Sequence, residues 1–155
     1  MSTAVRDRAP AAPAAPEQTE RRPVMLVSLD ISFDEELVRS AIEAAIEAGS
    51  ELLICLAVTL PTANANAAAR RTMGNPVVRE EMQRIRDRAR DAGAKARTVL
   101  YSSPRPVQAL FGVAESHGIG LLVFGPDRRR YGRLRFRWHL HRIRRNTTCL
   151  VLPLE

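Results

Sequence analysis

Residues 24–30 read VMLVSLD, a short run of apolar side chains that ends in the carboxylate of Asp30. A strand buried on both faces lacks the usual alternation of polar and apolar residues, so this run predicts a central strand of a parallel sheet. Further strand-like runs follow at residues 52–58, 96–101, 119–124 and 149–152. Because helical patterns separate these runs, the sequence indicates an α/β domain with a parallel sheet and helices on both faces.

The segments between the predicted strands have apolar residues at helical spacing. Ser32 or Asp34 can cap the first helix, which Gly49 ends and whose predicted inner face is Leu37, Ala41, Ala44, Ala45 and Ala48. The second helix is predicted over residues 77–91. The third is predicted over residues 106–117, and its inner face is Val107, Leu110, Phe111 and Ala114. A fourth, over residues 133–145, has Phe136, Leu140 and Ile143 towards the sheet and Leu134 and Trp138 on the opposite side.

The domain organisation follows from composition. Residues 1–22 are rich in alanine and proline and predict a disordered tail, whereas residues 23–155 predict one domain. Residues 62–76 predict a long connection with a helical turn at 67–71. The chain lacks an apolar run of membrane-spanning length and the apolar core of a secretory signal, so we expect a cytoplasmic protein.

Positive charge is concentrated in one segment of the chain. The formal net charge is +7, and residues 125–148 contain nine arginines and a single acid, Asp127. Only Lys95 is a lysine. A GC-rich genome and selection for guanidinium chemistry both explain the preference for arginine. The segment itself admits a solvated basic helix, a site for an anionic ligand, or a docking face for an acidic partner.

The sequence contains no arrangement of residues that indicates catalysis. Cys55 and Cys149 lie far apart in apolar runs, which predicts buried, unreactive thiols. His139 and His141 are two residues apart and diverge on a helix, so no metal site is predicted. The nucleophile and acid–base motifs of known enzyme classes are missing as well. We therefore expect a protein that is not an enzyme.

Four segments together resemble the universal stress proteins, of the adenine-nucleotide α-hydrolase-like superfamily. They are VSLDIS at residues 27–32, the long loop after the second strand, the helix, turn, strand and glycine of residues 106–125, and NTTCLVL at residues 146–152. The resemblance extends from Pro23 to Leu154. It implies a Rossmann-like, five-stranded parallel sheet with strand order 3-2-1-4-5. It also implies a homodimer that pairs through the last strand, at Leu150, Val151 and Leu152.

The same resemblance implies where a nucleotide would bind. In nucleotide-binding members an aspartate that ends the first strand contacts the adenosine, and Asp30 matches it. Their phosphate loop reads Gly, two residues, Gly, nine residues, Gly, then Ser or Thr. Here Gly125 matches the first glycine, but Arg128 replaces the second. Arg137 and Trp138 stand where the last glycine and the hydroxyl belong, and Gly132 is out of register.

The sequence supports three interpretations of function. The first is a non-catalytic regulatory or binding module whose crevice between Asp30 and Gly125 is empty or takes an anionic ligand. The second is an ATP- or AMP-binding stress protein with an unusual phosphate loop that slowly hydrolyses ATP or phosphorylates itself. The third is a basic docking module for nucleic acid, bound weakly, for an acidic protein or for an anionic membrane. The candidate ligand-binding residues are Asp30, Ser32, Val58, Gly125, Arg128, Arg129, Arg130 and Gly132.

Overall fold

The computed structural model describes residues 21–29, 32–59 and 75–154. Within these ranges the elements are β1 (Val24–Ser28), α1 (Glu35–Ala48), β2 (Leu52–Thr59), α2 (Pro76–Asp91), β3 (Ala96–Ser103), α3 (Pro106–Ser116), β4 (Leu121–Phe124), α4 (Arg128–Tyr131), α5 (Arg133–Asn146) and β5 (Leu150–Leu152). Residues 1–20 of the predicted tail (residues 1–22) lie outside the described residues, as do the predicted helical turn at residues 67–71 and Asp30.

The five strands form one parallel sheet in the order β3-β2-β1-β4-β5, which confirms the predicted topology. β1 is central, and all five of its residues are buried. Val24 is in register with Leu52 of β2 on one side and with Leu121 of β4 on the other. The strand order reverses between β1 and β4, and in open parallel sheets the crevice at that point is where ligands bind.

Helices cover both faces of the sheet because each crossover between parallel strands is right-handed. The crossovers from β1 and β2 place α1 and α2 side by side. There the carboxylate oxygens of Glu35 form ion pairs with a guanidinium nitrogen of Arg84, at 2.9 Å, and with one of Arg88, at 2.5 Å. The crossovers from β3 and β4 place α3 and α5 together on the opposite face, where they contact one another. The predicted inner residues of α5, Phe136, Leu140 and Ile143, are all buried.

The predicted inner face of α1 was partly wrong. The buried residues of this helix are Leu37, Val38, Ala41, Ile42 and Ala45, whereas Ala44 is half-buried and Ala48 is exposed. Val38 and Ile42 have more apolar surface to remove from water than the alanines, so the helix is rotated to bury them. Gly49 ends the helix in the left-handed conformation, as predicted, at a φ of 63°.

Two strands begin later than predicted. β4 begins at Leu121 and not at residue 119, because the Ile119 N–H still donates to the carbonyl of Ala114 at 3.1 Å and closes the end of α3. β5 begins at Leu150, and Cys149 just before it is half-buried, so the expectation of two buried thiols was wrong for Cys149. Cys55 is fully buried in β2, and burial raises its pKa to about 12.

No helix in the described part of the chain is both long enough and apolar enough to span a membrane. Within the same ranges, histidine, cysteine and acidic side chains form no group of three or more that could hold a metal ion.

Candidate functional site

The crevice at the carboxyl edge of the sheet begins where β1 and β4 end side by side. Val27 is in register with Phe124, and Ser28 is the last residue of β1. The buried Ser28 hydroxyl donates to the carbonyl of Ser32 at 2.9 Å and so connects the end of β1 to the chain four residues later. The predicted contact of Asp30 with a ligand remains a prediction, since that residue is outside the described ranges.

Gly125 lies where the end of β4 packs closely against β1 and the start of α1. Its N–H donates to the carbonyl of Val27 at 2.8 Å, and its carbonyl accepts from the N–H of Asp34, also at 2.8 Å. A Cβ at this position would lie 2.7 Å from the Cδ1 atom of the buried Leu26. The residue is therefore glycine for close packing, and its backbone donor is already used within the protein.

The segment after Gly125 is helical almost throughout. Asp127 caps α4 by accepting from the N–H of Arg129 at 3.0 Å. The N–H groups of Tyr131 and Gly132 donate to the carbonyls of Asp127 and Arg128, at 2.8 and 3.0 Å. Gly132 then turns the chain with a φ of 97°, in the region that favours glycine.

α5 continues without interruption from Arg133 to Asn146. The N–H of Phe136 donates to the carbonyl of Gly132 at 2.9 Å, which closes the first turn. Arg137 and Trp138, which stand where the resemblance places the last glycine and the hydroxyl, therefore lie in the body of a helix. In a helix body each backbone N–H bonds to the carbonyl four residues earlier.

A cleft of about 500 Å³ opens beside this segment, and we call it the arginine cleft. Its lining residues are Asp34, Asp127, Arg128, Arg129, Arg133, Phe136 and Arg137. The guanidinium carbon of Arg128 lies 4.8 Å from the centre of the Phe136 ring. The Nε atom of Arg128 is buried and has no hydrogen-bond partner within the described residues.

Both carboxylates in the arginine cleft act as helix caps. Asp34 accepts from the N–H groups of Glu36 and Leu37, at 2.9 and 3.2 Å, at the start of α1. Asp127 does the same for α4. A cap of this kind satisfies backbone donors that have no partner within the helix. The cleft is thus lined by four guanidinium groups and by two carboxylates, each of which accepts hydrogen bonds from backbone N–H groups.

The structure brings together only some of the residues predicted from the sequence. Arg128 and Arg129 line the arginine cleft, whereas Arg130 is exposed and lies outside its lining. Ser32, Val58 and Gly132 are not part of that lining either. Val58 is half-buried in β2, pairs with Ser102 of β3 and packs against the core.

Sequence reasoning did not assign Arg133 and Arg137 to a ligand. They are four residues apart on α5, so they project from the same face of the helix. The four-residue spacing in the sequence indicates that the two side chains share a helix face. Only the position of the cleft shows that these two arginines line it.

The last strand leaves apolar surface uncovered at the edge of the sheet. β5 pairs with β4 through Val151 and its neighbours, and its other edge has no partner strand among the described residues. Val151 is buried and Leu152 is half-buried, while Leu150 is 61% exposed. Leu154, two residues beyond the strand, is 71% exposed.

Solved structures of universal stress proteins have the same fold as this chain. A universal stress protein in complex with cAMP is 24% identical, with a TM-score of 0.56 over 85% of this chain and 95% of the other. A universal stress protein from Archaeoglobus fulgidus is 16% identical, with a TM-score of 0.62 over 84% and 90% of the two chains. The universal stress protein from the same organism in complex with dAMP is 17% identical, with a TM-score of 0.60 over 85% and 96%.

No protein-family model matches the sequence, and no curated protein matches it. The structural matches therefore define the class of fold: a five-stranded α/β domain of the type found in universal stress proteins.

The packing at Gly125 gives a prediction about stability. Gly125→Ala should lower the free energy of unfolding by about 1–3 kcal/mol, because the new methyl group has to displace the buried Leu26 side chain. Urea denaturation measures this. Gly112→Ala is the matched control: no atom lies within 4 Å of a Cβ at this position in α3, so alanine should stabilise the helix by about 0.5–1 kcal/mol. Equal effects of the two changes would contradict the packing role of Gly125.

Proposed function

We propose that this chain is a non-catalytic binding module of the universal stress protein family that holds an anionic ligand in the arginine cleft. The proposal is carried by one observation: after β4, arginine side chains rather than backbone N–H groups are the hydrogen-bond donors available to a ligand. The backbone N–H groups of Gly125, Tyr131, Gly132 and Phe136 bond to carbonyls of the protein itself. The donors that line the cleft are arginine side chains.

Arginine is suited to replace a backbone phosphate loop. Its guanidinium is planar, is permanently charged and presents several N–H donors in a fork that matches a phosphate or a carboxylate. The Phe136 ring holds the guanidinium of Arg128, whose buried Nε–H is an unused donor within the described residues. A side chain that is already positioned loses less entropy when a ligand binds.

A nucleotide is the ligand class that the structural relatives support. Two proteins of the same fold are described in complex with cAMP and with dAMP. The arginine cleft lies at the same switch point of the sheet, beside the end of β4. The proposal assigns the phosphate of such a nucleotide to Arg128, Arg129, Arg133 and Arg137, and it leaves the adenosine contact of Asp30 as a prediction.

The chemistry of the arginine cleft supports binding without turnover. Its arginines remain protonated at neutral pH and cannot act as general bases. Each of its two carboxylates uses one oxygen to accept hydrogen bonds from backbone N–H groups at the start of a helix. The proposal therefore contains no chemical step.

Calorimetric titration with AMP tests the arginine cleft. Arg133→Ala and Arg137→Ala should each weaken AMP binding roughly tenfold or more, since a hydrogen bond to a charged group contributes about 1.5–3 kcal/mol. Arg130→Ala is the control, because it removes an equal charge from an exposed position outside the cleft lining. Equal losses in all three variants would show diffuse attraction between charges and would contradict a defined site.

We further propose that two copies of the chain associate through β5. The unpaired edge of this strand is next to the exposed side chains of Leu150 and Leu154. Exposed strand edges are covered or paired in stable proteins, and an antiparallel or parallel copy of β5 would cover this one.

Sedimentation equilibrium tests this association. The wild-type chain should be a dimer at micromolar concentration, and Leu150→Glu should shift it to the monomer because a charge would be buried in the interface. Leu134→Glu introduces the same charge at a leucine of α5 that is 82% exposed and should leave the dimer intact. A monomeric wild-type chain would contradict the proposal.

A further inference from the structure

A second basic cavity lies on the face of the sheet that α3 and α5 cover. It has a volume of about 380 Å³ and extends from Leu29, after the end of β1, to the start of α3 and the side of α5. We call it the α3–α5 pocket. It shares no lining residue with the arginine cleft. Its volume is within the roughly 300–1,000 Å³ range of small-molecule sites.

The charged groups that line the α3–α5 pocket are all basic. Arg105 comes from the start of α3, and Arg135 and Arg142 come from α5 together with His139. No aspartate or glutamate is among the described residues that line it. None of the three arginines takes part in a salt bridge within the described part of the chain. A concave surface of one charge concentrates ions of the opposite charge.

The start of α3 adds to this positive potential. The helix is 11 residues long, and no side chain among the described residues caps its first turn. Pro106 has no N–H, so within the same ranges the free backbone donors of this turn are those of Val107 and Gln108, both of which line the α3–α5 pocket. The N-terminal end of a helix has a partial positive charge that favours a bound anion.

Aromatic contacts hold the cations of the α3–α5 pocket in position. The guanidinium carbon of Arg135 lies 4.4 Å from the centre of the Tyr131 ring, and that of Arg142 lies 5.7 Å from the centre of the Trp138 ring. Tyr131 is 5% exposed, and its hydroxyl is 2.5 Å from Nδ1 of His139. These contacts fix the donors before a ligand arrives, which reduces the entropy lost on binding.

We propose that the α3–α5 pocket binds a phosphoryl group, with Arg105, Arg135 and Arg142 as its ligands. A phosphoryl group has the charge to balance several guanidinium groups, and its oxygens match their donor forks. It belongs either to a small phosphomonoester or to free phosphate. This site is independent of the arginine cleft, because different side chains form the two.

Calorimetric titration of the full chain with glycerol 3-phosphate and with inorganic phosphate tests the site. Arg105→Ala and Arg142→Ala should each weaken binding roughly tenfold or more. Arg130→Ala, which removes the same charge from an exposed position outside the linings of both sites, should leave it unchanged. Tighter binding of glycerol 3-phosphate than of phosphate assigns the site to a monoester, and equal binding assigns it to free phosphate.

Two results would overturn this proposal. One is the failure of the wild-type chain to bind either compound saturably at millimolar concentration. The other is an equal loss in Arg130→Ala and Arg142→Ala, which would mean that the anions respond to overall charge. The proposed functions of the two sites fail separately: AMP binding depends on Arg133 and Arg137, whereas the phosphoryl site depends on Arg105 and Arg142.

The pKa of His139 provides an independent test of anion binding in the α3–α5 pocket. Burial, together with the charges of Arg135 and Arg142, holds the pKa of His139 below its usual value. The groups that face it are Tyr131 from α4, Arg135 and Arg142 from α5 and, across the pocket, Arg105 from α3. A bound dianion would stabilise the imidazolium and raise this pKa.

Sulfate is the probe for this effect because it stays a dianion across the range. Saturating sulfate should raise the His139 pKa in an NMR titration of the histidine ring protons. By linkage, sulfate should bind more tightly below the raised pKa and lose affinity as the pH increases through it. His139→Gln should bind sulfate without this slope. A His139 titration that sulfate does not shift, or an unchanged slope in His139→Gln, would overturn the assignment.

Discussion

The hydrogen bonds of Gly125 connect the end of β4 to β1 and to the start of α1. Its N–H and carbonyl are both engaged at 2.8 Å, and the space where a Cβ would lie is filled by Leu26. These bonds use the backbone donor of Gly125 at the switch point of the sheet. A phosphate loop at this place would offer its N–H groups to the ligand. Gly125 is followed in the chain by Asp127, α4 and α5. The N–H groups of Gly125, Tyr131, Gly132 and Phe136 all bond to carbonyls of the protein, so an anion beside them would have to be held by other donors, such as the arginine side chains.

The arginine-rich segment separates into three groups once it is folded. Phe136, Leu140 and Ile143 hold α5 against the sheet. Arg128, Arg129, Arg133 and Arg137 line the arginine cleft, and Arg135 and Arg142 line the α3–α5 pocket. Like charges packed this densely repel one another and destabilise the compact state. Bound anions would relieve that repulsion, so binding at either site should also stabilise the fold.

The apolar patterns were sufficient to predict a parallel α/β sheet, because a buried strand such as VMLVS and a helix such as α5 differ in their patterns. The strand order came from the resemblance to universal stress proteins. It was insufficient for details that depend on competition between side chains, such as the burial of Val38 and Ile42 in place of Ala48. The resemblance directed attention to Gly125 and to Arg128–Arg130. The α3–α5 pocket combines Arg105 with residues some 30 positions later, and local patterns contain no information about that proximity.

The central claim is that the N–H groups of Gly125, Tyr131, Gly132 and Phe136, which follow β4, are used within the protein. Amide hydrogen exchange of the ligand-free chain, followed by NMR, tests it most directly at Gly125 and Phe136. The account predicts that both amides exchange slowly, with Gly125 protected to the same degree as the neighbouring amides of β1 and β4, because a stable hydrogen bond must open before exchange occurs. Exchange near the rate of an unstructured peptide at both positions would contradict it and would return the phosphate-binding role to the backbone.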